Sequence, residues 1–146
     1  MSFEPGHILM AHHVGLPSCK EDWSDIAEFW ESLGLVCRFP QVENDEYDHA
    51  GAGPRLQVFA GEQLIVSYYV FKGRRLLPRS LHRQHLGLLM APQALHRARV
   101  HPSFERETHW DHSKTSVFLT GPYGMFIELV TVDPDYHNDH QHPHGD

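Results

Sequence analysis

The sequence predicts an α+β fold built from two βαβββ modules, and three observations support this prediction. The chain has 146 residues, 40% of them hydrophobic, which is enough to bury the core of one domain. Segments with strand and helix periodicity follow one another in the order strand, helix and three strands in each half. The motif His-x-Gly-Leu occurs at 13–16 and again at 85–88, 72 residues later. This repetition predicts that the two halves share one architecture.

The first module is predicted to span residues 7–71. An S-x-x-E capping box formed by Ser18 and Glu21 marks the start of its helix, and Gly34 marks the end. Apolar residues at steps of three and four give this helix one buried face, made of Trp23, Ile26, Ala27, Trp30 and Leu33. Apolar or alternating runs bounded by turn residues predict four strands, at 7–16, 35–39, 55–60 and 63–71.

The second module is predicted to span residues 82–132. Pro92 suits the first turn of a short helix that continues over 93–100. The four strands of this module are predicted at 82–90, 104–109, 116–120 and 125–132. Both modules are expected to form one domain over 1–136. Four histidines lie in 137–146, which has almost nothing apolar to bury and is expected to be a flexible tail.

Composition narrows the classes of function. The chain has 19 acidic and 12 basic residues and a net charge of −7, so nucleic acid is not expected as a partner. No apolar run approaches the roughly 18 residues that span a bilayer, so no membrane partner is expected. The N-terminus lacks a basic signal-peptide region, and two cysteines are too few for a disulfide scaffold. We therefore expect a soluble, cytoplasmic protein that handles a small molecule.

Two histidines in the repeated motif are candidate metal ligands. Because side chains alternate along a strand, His13 shares a face with Gly15, and His85 shares a face with Gly87. Each imidazole therefore stands beside a position without a side chain, which leaves room for a ligand. The same alternation predicts that His12 points away from His13 and is structural.

Glu128 is the third candidate ligand, because it lies in the otherwise apolar run at 125–132. A carboxylate there must be paired, protonated or metal-bound if it is buried. An edge strand with Glu128 facing water, or a buried pair with Arg55 or Arg83, are alternatives without a metal. Two histidines and one carboxylate are the ligand set of a facial metal triad, which Zn²⁺, Mn²⁺, Ni²⁺ and Fe²⁺ all accept.

Three motifs resemble those of the vicinal oxygen chelate superfamily: His-Val-Gly-Leu at 13–16, His-Leu-Gly-Leu at 85–88 and Gly-x-x-Ile-Glu-Leu at 124–129. The resemblance covers residues 8–132, although Thr120-Gly121 replaces an Asp common in the closing motif. It implies an open, U-shaped mixed β-barrel around a divalent metal ion held by His13, His85 and Glu128. It also implies a homodimer.

The superfamily contains both enzymes and binding proteins. Many members take a fourth ligand, Glu or Gln, from a position that here falls near Val66 or Ser67, where neither residue type is present. Three protein ligands favour an oxygenase or dioxygenase. The alternatives are an isomerase or lyase like glyoxalase or the epimerases, a thiol transferase of the fosfomycin-resistance type, and a metal-free drug- or metabolite-binding protein.

Further polar residues are weaker candidates for the site. Tyr68, Tyr69 and Tyr123 are candidates for hydrogen-bonding a bound substrate, and His109 is a candidate acid–base group near the metal. Packing for the tyrosines and an exposed loop position for His109 are the alternatives. Lys114 and the pair Arg74-Arg75 are candidates for holding an anionic substrate, or else surface residues.

Overall fold

The computed structural model describes residues 2–40, 54–71, 75–110 and 114–132. The chain divides into two compact units, Met1–Leu76 and Leu77–Asp146. Each unit is described by itself below.

The first unit is a four-stranded mixed sheet with one helix. Its elements are β1 (Val14–Ser18), α1 (Trp23–Glu31), β2 (Val36–Arg38), β3 (Arg55–Ala60) and β4 (Gln63–Val70). The strand order is β1-β4-β3-β2, with β1 parallel to β4 and the other neighbours antiparallel.

The second unit repeats this arrangement. Its elements are β5 (His85–Leu89), α2 (Leu95–Arg99), β6 (Phe104–Trp110), β7 (Lys114–Thr120) and β8 (Phe126–Val132). The order β5-β8-β7-β6 is the same topology, again with the first strand parallel to the last. The two predicted βαβββ modules are therefore confirmed.

The core of the first unit lies between α1 and one face of its sheet. The apolar stripe of the helix is buried as predicted, at Trp23, Ile26, Ala27 and Trp30. The indole Nε1 of Trp30 donates to the hydroxyl of Tyr68 at 3.1 Å. The helix ends in a Schellman motif, in which Leu35 N–H bonds to the Trp30 carbonyl and Gly34, at φ +80°, bonds to Glu31.

The core of the second unit lies on the α2 side of its sheet. The buried side chains there are Val117, Leu119, Ile127 and Leu129, with Ala98 from the helix. Arg99 on α2 forms a two-pronged pair with Glu107 on β6, with Nε–Oε1 at 2.7 Å. The opposite face of this sheet carries Ser116, Phe118 and Glu128, and the candidate functional residues lie there.

The start of the first module differs from the prediction. β1 covers Val14–Ser18 rather than 7–16, and Ile8, Leu9 and Met10 are exposed outside it. Within the described chain β1 is an edge strand, so Pro17 is tolerated there although it lacks an N–H.

Ser18 does not cap the helix. It is buried at the end of β1, where its hydroxyl donates to the Tyr69 carbonyl and accepts from the indole of Trp23, both at 2.8 Å. A 3₁₀ turn at Lys20–Asp22 precedes α1 instead.

The strand predicted at 82–90 begins only at His85. Residues 81–84 form a turn closed by the Gln84 N–H bond to the Leu81 carbonyl, with Arg83 in the left-handed region at φ 79°. The predicted tail at 137–146 and most of the polar loop at 40–54 lie outside the described residues. None of the described helices is long and apolar enough to span a membrane.

Candidate metal site

The second unit brings His85 and Glu128 together. β5 and β8 pair in parallel with Gly87 opposite Glu128 and His85 opposite Phe126. His85 Nε2 lies 3.6 Å from Glu128 Oε1. A Cβ added at Gly87 would lie 3.9 Å from the same oxygen, an ordinary van der Waals distance, so Gly87 is a close neighbour of the carboxylate and adds no side chain beside it. A strand pairing that puts a glycine beside an acid therefore builds the floor of the site.

Glu128 is held from its other side by a short hydrogen-bond chain. The hydroxyl of Ser116, fully buried on β7, donates to Glu128 Oε2 at 2.6 Å. That hydroxyl accepts in turn from the indole Nε1 of Trp110 at 2.9 Å. Oε2 is thus occupied, and Oε1 is directed to His85.

This environment excludes the edge-strand alternative for Glu128. Within the described sheet β8 has a neighbour on each side, β5 and β7. The Glu128 side chain is 14% exposed, whereas that of His85 is 60% exposed. Among described residues the carboxylate contacts His85 and Ser116 rather than an arginine. Glu128 therefore lies at the surface of the sheet, with one carboxylate oxygen fixed by Ser116 and the other near His85.

The distance between the two side chains fits a shared metal ion. Ligand bonds near 2.1 Å place two donor atoms roughly 3.0 Å apart at a right angle and roughly 3.4 Å apart at the tetrahedral angle. The observed 3.6 Å is a few tenths of an ångström wider, within reach of a small rotamer adjustment. One imidazole nitrogen and one carboxylate oxygen are donors that Zn²⁺, Mn²⁺, Ni²⁺ and Fe²⁺ accept.

The first unit has an equivalent position with different chemistry. Gly15 lies opposite Ser67 in the β1–β4 pairing, just as Gly87 lies opposite Glu128. Ser67 therefore takes, in the first unit, the register position that Glu128 takes in the second. Tyr69 is two residues further along β4 on the same face, half-buried.

His13 lies in the first unit, immediately before β1, and is exposed. The prediction that His12 points away from it is wrong, because the two Nδ1 atoms are 2.8 Å apart. Both residues precede the strand, so strand alternation does not apply to them. Across the described ranges, no three His, Cys, Asp or Glu side chains form a group that could hold a metal.

His109 lies on the face of its sheet opposite to that of the Glu128 carboxylate. Opposite residues of neighbouring strands share a face, and His109 pairs with Thr115, which pairs with Thr131 on the α2 side. There its Nε2 lies 3.0 Å from Glu107 Oε2, and the hydrogen bond from Arg99 lowers the pKa of Glu107. Tyr123 sits in the turn between β7 and β8, where its carbonyl accepts from Leu81 N–H.

The three predicted anion-binding residues differ in their surroundings. Arg75 is paired with Glu21 at 3.3 Å, and Arg74 lies outside the described residues. Lys114 is exposed on the Glu128 face, with Nζ 5.5 Å from the centre of the Trp110 ring.

Sequence reasoning missed Ser116 and Trp110. If the strands on either side of the 121–125 turn are paired residue by residue, Phe118 lies opposite Glu128 and Ser116 lies opposite Val130. The sequence could therefore have shown that Ser116 and Glu128 lie on the same face of the sheet. The bond from Ser116 to Glu128 runs diagonally between neighbouring rows of this face, which pairing alone does not reveal.

The fold is shared with solved structures of three proteins whose names belong to the family that the motifs resemble. A glyoxalase family protein from Bacillus anthracis is 16% identical, with a TM-score of 0.64 over 89% of this chain and 100% of that one. A bleomycin resistance determinant encoded on the transposon Tn5 is 17% identical, with a TM-score of 0.56 over 85% and 99%. The fosfomycin resistance protein FosX from Mesorhizobium loti is 14% identical, with a TM-score of 0.53 over 90% and 98%.

At identities this low, the structural similarity shows a common fold and nothing further. No protein-family model matches the sequence, and no curated protein matches it.

Proposed function

We propose that the protein binds a divalent metal ion through His85 and Glu128, with His13 as the third protein ligand. In this proposal it is an enzyme that acts on a small molecule chelating the ion through two oxygens. The observation that carries the proposal is the 3.6 Å approach of His85 Nε2 to Glu128 Oε1 beside Gly87, which has no side chain. An imidazole and a mostly buried carboxylate facing the same open space are a donor pair for a cation.

The chemistry of the proposed site depends on its free positions. Three protein ligands leave room for two substrate oxygens, and a bound ion would polarise them or, as Fe²⁺, supply oxygen chemistry. This favours an oxygenase or dioxygenase over an activity that needs a protein carboxylate as base, because neither Val66 nor Ser67, where a fourth ligand is expected, carries a carboxylate. Tyr69 and Tyr123 are proposed to hydrogen-bond the substrate.

Metal content tests the site directly. Full-length protein is equilibrated with Mn²⁺, Fe²⁺, Ni²⁺ or Zn²⁺ and separated from unbound metal by desalting. Its metal content is then measured by elemental analysis. Because every variant keeps the histidine-rich tail, metal held by the tail cancels in the comparison with wild type. His85→Ala and Glu128→Gln should each lose about one equivalent, and His13→Ala should do the same if it is the third ligand.

Matched controls separate the site from general surface binding. His96→Ala on α2 and Glu62→Gln in the β3–β4 turn remove an exposed imidazole and an exposed carboxylate, and both should leave the metal content unchanged. Wild-type metal content in His85→Ala and Glu128→Gln would overturn the proposal and favour a metal-free binding protein.

Oxygen uptake tests the reaction class. Fe²⁺-loaded protein is mixed with catechol, a neutral chelator with two adjacent oxygens, in an oxygen electrode. Uptake that requires Fe²⁺, catechol and Glu128 supports an oxygenase. Catechol binding without uptake would instead favour the isomerase, lyase or thiol-transferase alternatives.

A further inference from the structure

A row of four residues crosses the second sheet at the level of Glu128. Register pairing places Arg106 of β6 opposite Phe118, Phe118 opposite Glu128, and Glu128 opposite Gly87. Opposite residues share a face, so the guanidinium stands on the same surface as the proposed metal ligand. The first unit has an arginine in the equivalent row, which reads Arg38, Gln57, Ser67, Gly15.

Arg106 is held in place by an aromatic ring. Its Cζ lies 4.2 Å from the centre of the Phe118 ring, which is itself buried. A guanidinium packed over a ring loses less entropy on binding than a freely moving one, and its N–H groups remain available as donors. The Phe118 ring that carries the guanidinium projects from β7, the strand next to that of Glu128.

Arg106 also lacks an acidic partner among the described residues. Arg99 and Arg75 each pair with a glutamate, although the chain as a whole is acidic, with a net charge of −7. The adjacent carboxylates are engaged elsewhere: Glu105 accepts from the Thr120 hydroxyl at 2.6 Å, and Glu107 points to the α2 side. An exposed, pre-oriented and unpaired guanidinium suits a carboxylate or phosphate group.

We propose that Arg106 is an anion subsite beside the metal site. The substrate then carries a carboxylate or phosphate group in addition to the oxygens that chelate the ion. The chelating half of this inference rests on the proposed function, whereas the anion subsite itself does not.

Two ligands that differ by one phosphate test the subsite. Glycerate and 3-phosphoglycerate share a chelating 2-hydroxy acid, and only the second carries a distant phosphate. By calorimetry on Mn²⁺-loaded full-length protein, 3-phosphoglycerate should bind at least about tenfold more tightly, the gain expected of charge-assisted hydrogen bonds. Arg106→Gln should reduce this preference to within about twofold, and the control Arg97→Gln on exposed α2 should keep it.

A metal-free measurement separates the two proposals. Inorganic phosphate is titrated into metal-free protein while ¹⁵N NMR signals of Arg106 and its neighbours are followed. Shifts at the neighbours of Arg106 that vanish in Arg106→Gln support the subsite even if glycerate fails to bind the Mn²⁺-loaded protein, a failure that would count against the metal site alone. Equal affinities of Arg106→Gln and wild type for phosphate, or an equal loss in Arg97→Gln, would overturn the subsite.

Discussion

Removing the Ser116 hydroxyl should destabilise the second unit measurably. Ser116→Ala deletes the 2.6 Å hydrogen bond to Glu128 Oε2 and the acceptor for the Trp110 indole. A hydrogen bond to a charged group contributes about 1.5–3 kcal/mol, and Trp110 is 47% exposed, so water can replace its lost partner. We therefore expect the free energy of unfolding to fall by about 2–3 kcal/mol.

A second hydroxyl deletion in the same sheet should have the opposite sign. Thr131 Oγ1 on β8 is buried without a hydrogen-bond partner among the described residues. Thr131→Val keeps the shape of the side chain and removes a polar group that loses its water on folding. Stability should therefore rise by about 1 kcal/mol.

Urea unfolding in EDTA measures both effects without a metal contribution. With slopes of about 1–3 kcal/mol/M, the Ser116→Ala midpoint should fall by roughly 1 M. Ser24→Ala, on the exposed side of α1, is the control and should leave the midpoint unchanged. A Ser116→Ala midpoint equal to that of wild type would show that the bond to Glu128 contributes nothing. A loss of stability in Thr131→Val would show that its hydroxyl has a partner.

Three further outcomes are expected. Burial lowers the pKa of His101 in the folded protein. The stability that the neutral imidazole contributes is therefore fully present above about pH 6.5 and is lost as the pH falls through the folded-state pKa. His101→Asn keeps an acceptor for Ser103 N–H and should flatten the acid side of a plot of unfolding free energy against pH. Burial, reinforced by Glu31, raises the pKa of Cys37 from 9.0 to about 11, so iodoacetamide at about pH 8 should meet roughly 100-fold less thiolate, and mass spectrometry should find it largely unmodified. Light scattering at micromolar concentration should give about twice 16.8 kDa, and the monomer mass would contradict the predicted homodimer.

Local patterns were sufficient to predict most of the secondary structure. β3 was predicted at its observed bounds, and β8 within one residue, because apolar residues and turn formers delimit both strands. Glu128 was recognisable as a candidate because an acid in an apolar strand needs a partner. The repeat of His-x-Gly-Leu indicated which strand would supply that partner, His85.

Features that depend on a specific partner were not predictable in this way. The apolar residues at 8–10 look like a strand, but nothing in the local sequence shows that the pairing with β4 starts at Val14. Ser18 satisfies the pattern of a helix cap, yet its hydroxyl bonds to the Tyr69 carbonyl, 51 residues away. The support that Ser116 gives Glu128 follows from strand register and rotamers together.

The pairing of the first strand of each unit with its last has a consequence for folding. Val14 joins Val66 across 52 residues, and His85 joins Phe126 across 41. The β3–β4 hairpin closes over a two-residue turn and can form in microseconds. The parallel pairs β1–β4 and β5–β8 each require a long loop to close, which costs more conformational entropy. The contact between His85 and Glu128 therefore belongs to the slow, high-contact-order step of folding. In a newly made chain, His85 and Glu128 come into contact only when the sheet of the second unit is complete.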